Sequence, residues 1–186
     1  QYSRTLLSQV RRADALLIVV DLSNAPLAQM ESLIAQLAEM RISLGIETAQ
    51  EEVILSQKKA LIIGNKLDLK NAHANYTALQ NKYGEHLPVI AISAKERDSL
   101  EELKLKVYQM LDIIRVYTKT PGQKPDFNDP IILDRGSRLG DAAAQVHKDF
   151  AAKLKYARIW GSGKHDGIMV KRDHILQDGD VIELHL

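Results

Sequence analysis

The sequence contains no cysteine, which excludes both a disulfide framework and a metal site built on thiolates. Aromatic residues make up only 5% of its 186 positions, and no apolar run approaches the length that spans a bilayer. Its 25 basic and 24 acidic side chains nearly cancel, so no overall field favours a membrane surface or DNA. We therefore predict a globular, cytoplasmic protein with no membrane partner and no DNA partner.

Other absences concern chemistry. The sequence has no Gly-x-x-x-x-Gly-Lys-Ser/Thr loop for binding phosphates and no Asp-x-x-Gly segment. Residues Gly161 to His165 imitate such a loop, but Arg158 stands where its first glycine belongs and His165 where its hydroxyl belongs. We predict a turn or a bulge there instead. The six histidines are scattered without helical spacing, so we predict no metal site, and we assign no catalytic residue.

Two polar motifs each follow an apolar segment. Asn65-Lys66-Leu67-Asp68 comes directly after Ala60 to Gly64, and Ser93-Ala94-Lys95 comes directly after Pro88 to Ile92. A guanine ring offers two neighbouring donors, N1–H and the 2-amino group, and one carboxylate can accept both. Adenine lacks the 2-amino group and would leave such a carboxylate unpaired. We expect Asp68 to be this guanine-selective acceptor.

The remaining motif residues have supporting roles in this hypothesis. We expect Asn65 to brace the loop and reach the base edge, and the stem of Lys66 to lie across the ring face. The backbone N–H of Ala94 would face the guanine O6, while Ser93 or Lys95 would support the Asp68 loop. The alternative is that both motifs are ordinary polar loops between a strand and a helix.

Apolar periodicity predicts alternating strands and helices up to about residue 114, and hence a parallel sheet with right-handed crossovers. Leu16 to Val20 is continuously apolar, which is typical of a strand covered on both faces. The other predicted elements are the end of a helix up to Ala13, helices over Ala25 to Leu44, Asn75 to Tyr83 and Ser99 to about Ile114, and strands over Lys58 to Ile63 and Leu87 to Ile92.

Beyond residue 114 the pattern changes to short strands separated by proline-rich turns, so we predict two domains, 1–114 and 115–186. The order of elements in the second domain is that of a β-grasp fold. The predicted elements are a hairpin of Arg115 to Lys119 with Pro130 to Leu133, one helix from Asp141 to about Leu154, strands over Tyr156 to Trp160, Gly167 to Val170 and Val181 to Leu186, and a turn at Asp178-Gly179-Asp180.

A family resemblance covers nearly the whole chain. The two polar motifs resemble the fourth and fifth nucleotide-binding motifs of P-loop GTPases, and Arg11 to Asp21 is similar to the strand after the switch II helix in Obg and DRG (developmentally regulated GTP-binding) proteins. The stretches Val116 to Gly122 and Tyr156 to Gly161, with Ile131 to Leu133 and Val146 to Lys148, resemble a TGS domain. The chain thus resembles the second half of a Rossmann-like, three-layer GTPase domain followed by a small ubiquitin-like TGS module.

The resemblance implies a ligand and an activity. It implies GTP or GDP as the nucleotide, GTP hydrolysis by the parent protein, and a regulatory role linked to the ribosome or RNA. Because the phosphate loop is missing, we expect the first half of the GTPase domain to lie outside this chain. Mg²⁺ is then expected only together with that half, and we expect no hydrolysis by this segment alone.

The second domain supports an alternative function, a non-enzymatic RNA- or protein-binding TGS module beside a structural α/β domain. Its partner would be the ribosome, a tRNA or a regulatory protein. Basic residues in a region with Tyr156 and Trp160 suit RNA phosphates and bases. Interspersed aspartates favour a plain solvated face instead, with Trp160 in the core. The candidate contact residues are Lys148, Lys155, Arg158, Lys164, Lys171 and Arg172.

One position departs from the TGS pattern. Arg138 stands where a helix-capping threonine is common. We therefore expect either that Ser137 caps the helix or that the helix begins at a different residue.

Overall fold

A computed structural model describes residues 4–46, 56–162 and 166–186 of the chain. The described residues up to Leu111 form one compact unit, and those from Asp112 onward form another. The predicted domain boundary after residue 114 remains a prediction. Each unit has a sheet and a hydrophobic core of its own.

The first unit is an α/β layer structure. Its helices are α1 (Arg4–Arg12), α2 (Pro26–Glu39), α3 (Ala72–Tyr83) and α4 (Leu100–Leu111), and its strands are β1 (Ala15–Asp21), β2 (Ile42–Ser43), β3 (Ser56–Gln57), β4 (Lys59–Asn65) and β5 (Val89–Ala91). A three-stranded parallel sheet has the order β1-β4-β5, and a separate two-stranded parallel ribbon pairs β2 with β3. Alternation of strand and helix in a parallel sheet confirms the predicted fold class.

The central strand β4 is buried from Ala60 to Ile63, as its continuous apolar run predicts. One face of the sheet packs against α2 and α3 through a core that includes Met30 and Leu79. The other face packs against apolar side chains of α4. Gly64 ends the buried run where a side chain would collide with Leu22, since a Cβ there would lie 2.6 Å from its Cδ2 atom.

The prediction that β1 is covered on both faces is wrong. Ile18 and Val20 are buried, but Leu17 and Val19 are 50% and 62% exposed. The reason is that β1 lies at the edge of the three-stranded sheet, whereas the apolar face of α4 packs on β4 and β5. Continuous apolar sequence therefore does not guarantee burial at an edge.

Three predicted helix bounds also need correction. Helix α2 ends at Glu39 rather than Leu44, because Arg41 adopts a left-handed conformation (φ 58°) that turns the chain into β2. Helix α3 begins at Ala72, three residues before the predicted start at Asn75. Helix α4 ends at Leu111 because Asp112 is left-handed (φ 55°), and the next strand begins at Ile113.

The elements of the second unit are β6 (Ile113–Thr118), β7 (Ile131–Asp134), α5 (Leu139–Val146), α6 (Lys148–Lys153), β8 (Tyr156–Trp160), β9 (Ile168–Val170) and β10 (Val181–His185). Its strands form a five-stranded mixed sheet of order β7-β6-β10-β8-β9 that covers one main helix, which is the β-grasp arrangement. Strand β10 runs parallel to β6, and the other pairs are antiparallel. The β6–β7 pair confirms the predicted hairpin.

The core of this unit lies between α5 and one face of the sheet. Ile114, Val116, Ile159 and Ile182 are fully buried there with Leu139 of α5. The expectation that Trp160 belongs to this core is wrong. Its neighbour Ile159 points into the core, so Trp160 lies half-buried on the other face, with the ammonium of Lys119 over its ring at 4.1 Å.

The predicted single helix from Asp141 to Leu154 is two helices. His147 adopts an extended conformation (φ −168°, ψ 148°) that ends α5, and its ring nitrogen accepts a hydrogen bond from the Asp149 N–H at the start of α6. The cap of α5 differs from both expectations. Arg138 occupies the N-cap position, and its backbone N–H donates to the side chain of Asp141 at 2.7 Å, so neither Ser137 nor a threonine is needed.

Candidate guanine-recognition site

The carboxyl ends of the three parallel strands bring the polar motifs together. Asp21, the last residue of β1, pairs in register with Asn65, the last residue of β4. Gly64 pairs with Ala91 at the end of β5, two residues before Ser93. Because the loops after parallel strands share one edge of the sheet, both motifs lie at the same edge, which is where open α/β sheets bind ligands.

Asp68 lies at this edge, with 18% of its side chain exposed. Its Oδ1 atom accepts a hydrogen bond from the Ser93 hydroxyl at 2.6 Å, although the two residues are 25 positions apart. Its Oδ2 atom lies 4.0 Å from the Lys95 ammonium, at the outer limit of an ion pair. The hydrogen bond from Ser93 lowers the pKa of Asp68 against the opposing effect of desolvation, with a smaller contribution from Lys95. The side chain is therefore a carboxylate at neutral pH, with an oxygen able to accept further donors.

Asn65 links the two motifs. Its side-chain oxygen accepts hydrogen bonds from the backbone N–H groups of Lys66 at 2.8 Å and Ala94 at 3.1 Å. The Ala94 N–H is thus already engaged by Asn65. Its expected contact with a guanine O6 stays a prediction, because it requires this hydrogen bond to be shared or exchanged.

Backbone hydrogen bonds hold the Asn65–Asp68 loop against the segments that follow β1 and β5. Leu67 donates to the carbonyl of Ile92, and Leu22 donates to that of Asn65, each at 3.0 Å. Ser93 completes its own loop by accepting the Glu96 N–H at 3.1 Å. The positions of Asp68 and Ser93 are therefore set by two strands of the sheet and not by the loops alone.

Lys66 makes the contact that sequence reasoning missed. Its backbone is left-handed (φ 69°), and its ammonium lies 2.6 Å from Asp21 Oδ2. The other oxygen of Asp21 accepts from the backbone N–H and hydroxyl of Ser23, at 2.8 and 2.6 Å. These hydrogen bonds, that of Lys66 first, lower the pKa of Asp21 to about 2. The sequence did contain a signal for this contact, since Asp21, like Asn65, stands at the end of an apolar strand.

The candidate RNA-contact residues lie on several elements of the second unit and are exposed where the structure describes them. Lys148 begins α6, Lys155 precedes β8, and Arg158 lies within β8. Lys171 and Arg172 follow β9, and the Arg172 side chain passes close to Gly140. Lys164 lies outside the described residues.

The segment that imitates a phosphate loop is described only in part, since Gly163, Lys164 and His165 lie outside the described residues. Gly161 has a backbone (φ 120°) that favours glycine, and a Cβ there would lie 2.9 Å from Asp180 Oδ1. Ser162 donates to Asp180 through both its N–H and its hydroxyl, at 2.8 Å each. Asp180 therefore occupies the inner side of this turn.

Two features are absent from the part of the chain that the structure describes. No group of three or more histidine, aspartate or glutamate side chains there is arranged to hold a metal ion. No helix in the same residues is both long and apolar enough to cross a membrane.

Residues 114–186 match the family of TGS domains. An uncharacterized GTP-binding protein of Methanocaldococcus jannaschii is 32% identical over 176 residues, which cover 87% of this chain and 45% of that protein. Developmentally-regulated GTP-binding protein 1 of Xenopus laevis is 37% identical over 97 residues, or 51% of this chain and 26% of that protein. The chain thus spans less than half the length of these relatives.

A solved structure supports the same assignment at the level of fold. The YchF GTPase of Schizosaccharomyces pombe superposes with a TM-score of 0.66 and 12% identity, covering 98% of this chain and 75% of that one. At this identity the likeness concerns the fold alone. The TGS match and the related GTP-binding proteins, together with this fold, show that the chain resembles the carboxyl-terminal part of TGS-containing GTP-binding proteins and is of the Obg/DRG type.

Proposed function

We propose that this chain recognises the guanine base of GTP or GDP as part of a regulatory GTPase of the Obg/DRG type. The observation that carries the proposal is the Asp68 carboxylate, anchored by Ser93 at the ligand-binding edge of a parallel sheet. The names of the related proteins, which describe GTP binding, support it independently.

The residues at this edge suit a guanine base. Asp68 keeps acceptor capacity after its hydrogen bond to Ser93, because a carboxylate can accept at about four lone-pair sites. Lys66 has a four-carbon stem that can cover a ring face, and 51% of its side chain is exposed. Base contacts alone bind weakly, since phosphate groups supply much of the affinity for a nucleotide.

Hydrolysis needs parts that this sequence does not contain. In this fold, catalysis depends on a phosphate loop, Mg²⁺ and a group that orients water. In our proposal residues outside the chain supply these parts, and the chain alone does not release phosphate from GTP. If the purified chain hydrolysed GTP, and Asp68→Asn abolished that hydrolysis, the proposal that hydrolysis needs residues outside the chain would be contradicted.

Base recognition can be tested by NMR titration of the chain with GMP, AMP and XMP. We expect GMP, and not AMP, to shift the amide signals of residues 65–68 and 93–95. Asp68→Asn should remove the GMP preference and favour XMP, because an amide can donate to the additional carbonyl of xanthine. The exposed Asp14 provides a matched control, and Asp14→Asn should behave as the unmodified chain. Equal responses to GMP and AMP, or an unchanged preference in Asp68→Asn, would refute the proposal.

A second proposed role concerns the TGS domain. Its exposed basic residues support contact with RNA, and we propose that a ribosomal subunit or a tRNA in the cytoplasm is the partner. Binding should weaken steeply as salt is raised, and replacing Arg158 and Lys155 by glutamine should reduce both the affinity and the salt dependence. Absence of binding at low salt would favour a regulatory protein as the partner.

A further inference from the structure

We propose that Asp21 is a positioning residue of the guanine site, which holds the side chain of Lys66 in the orientation that covers a bound base. This inference rests on the proposed function of the site. The contact that carries it joins two loops at the carboxyl edge of the sheet. Lys66 Nζ lies 2.6 Å from Asp21 Oδ2, across 45 positions of sequence.

The ion pair fixes a side chain that would otherwise be mobile. Lysine has four rotatable bonds, and restricting them on binding lowers affinity. The left-handed backbone and Asn65 hold the near end of Lys66, and Asp21 holds its far end. The aliphatic stem is therefore ordered before a base arrives.

Asp21 is itself oriented by its surroundings. Ser23 occupies Oδ1 with two hydrogen bonds and leaves Oδ2 for Lys66. Gln29 of α2 holds the Asp21 backbone, because its side chain accepts the Asp21 N–H and donates to the Asp21 carbonyl, at 3.0 Å each. The carboxylate thus has one orientation, which directs a single oxygen at Lys66.

Asp21 also stabilises the turn after β1 through Ser23, so the test must separate that local role from positioning. Asp21→Asn retains an oxygen for Ser23 but removes the charge that attracts Lys66. Lys66→Met retains a long apolar stem but removes the ammonium. A double-mutant cycle of these two changes measures whether Asp21 acts through Lys66.

The measurement is the dissociation constant for GMP, obtained by NMR titration of the full chain and its variants. Asp21→Asn should weaken GMP binding about 3- to 10-fold while the preference for GMP over AMP remains. In the Lys66→Met background, Asp21→Asn should cause no further loss. Asp14→Asn, which removes an exposed carboxylate beyond the other end of β1, should change nothing.

An unchanged affinity in Asp21→Asn, or an equal loss in the Lys66→Met background, would overturn the inference in favour of a purely local role. Should Asp21→Asn fail to fold, Lys66→Met carries the test, since it must weaken binding by a similar factor. Asp68→Asn distinguishes a failure of the positioning role from a failure of base recognition. If it abolishes the GMP preference while Asp21→Asn has no effect, only the positioning role fails. Absence of any response to millimolar GMP overturns both.

Discussion

The two units of the chain use acidic side chains differently. In the first unit Asp21 and Asp68 lie at the open edge of the sheet, with 29% and 18% of their side chains exposed. In the second unit Asp180 and Glu183 are buried, at 1% and 6% residual exposure. Carboxylates at an open edge can exchange a hydrogen bond for a ligand, whereas buried ones are committed to partners within the fold.

The partners of the buried pair show this commitment. Asp180 accepts from the N–H of Gln177 at 2.8 Å and from both donors of Ser162. Glu183 lies 3.3 Å from the Lys119 ammonium and 2.8 Å from a ring nitrogen of His185, which stacks on Tyr156. We infer that these contacts of Asp180 and Glu183 maintain the β-grasp fold, whereas Asp21 and Asp68 at the edge of the first unit can still accept a ligand.

The largest effect should come from truncating a buried side chain in one of the two cores, which tests whether the two units unfold separately. Ile182→Ala leaves a cavity between α5 and the sheet, and should cost about 2–5 kcal/mol in free energy of unfolding. The chain has a single tryptophan, Trp160, so its fluorescence during urea denaturation reports on the second unit. Leu61→Ala, in the first unit, should leave the Trp160 transition in place. If it shifts that transition equally, the units do not unfold separately.

A smaller effect should distinguish the buried from the open carboxylates. Asp180→Ala leaves the donors of Ser162 and Gln177 without their acceptor, and should cost about 1–3 kcal/mol in free energy of unfolding. Asp68→Asn should change stability far less, because its site is open to water. Urea denaturation followed by circular dichroism compares the two. A larger loss for Asp68→Asn would mean that the edge is structural.

Acid should weaken the second unit through Glu183. Burial raises the pKa of Glu183, but hydrogen bonds from His185 and Lys119 outweigh it, so the pKa lies below its ordinary value. A lowered pKa contributes stability at pH values above the unfolded-state value of about 4.3, and this stability is lost as pH falls through the folded-state value. The free energy of unfolding of the unmodified chain should therefore fall more steeply below that pH than that of Glu183→Gln.

Tryptophan fluorescence at a series of pH values measures this difference. The exposed Asp173 lies in the same unit, and Asp173→Asn should keep the steep acid dependence. Parallel curves for the unmodified chain and Glu183→Gln would show that the network around Glu183 does not contribute to stability.

The smallest effect should come from an exposed ion pair on α4. The Lys104 ammonium lies 2.6 Å from Glu101, whose side chain is 87% exposed. Lys104→Gln should cost only about 0.2–0.5 kcal/mol, because water and salt screen such pairs. A loss in urea denaturation as large as that of Asp180→Ala would contradict the distinction between exposed and buried charges.

Much of the fold was predictable from local patterns. Apolar runs located β1, β4 and β5, and the proline-rich turns indicated the change to a β-grasp unit. The errors in where helices end occurred where a single residue leaves the right-handed helical conformation. Arg41 and Asp112 are left-handed and His147 is extended, and none of these residue types signals the end of a helix in its sequence context.

Residue order alone placed Asn65 and Asp68 after one strand and Ser93 after the next, because a polar motif after an apolar run marks a strand end. Tertiary structure decided which of these groups meet. The hydrogen bond from Ser93 to Asp68 spans 25 positions, and the ion pair from Lys66 to Asp21 spans 45. Both depend on the register of parallel strands. The exposure of Leu17 and Val19 depends instead on the position of β1 at the edge of the sheet. Register is a property of the packed sheet, since it is set by contacts between segments that are distant in the chain.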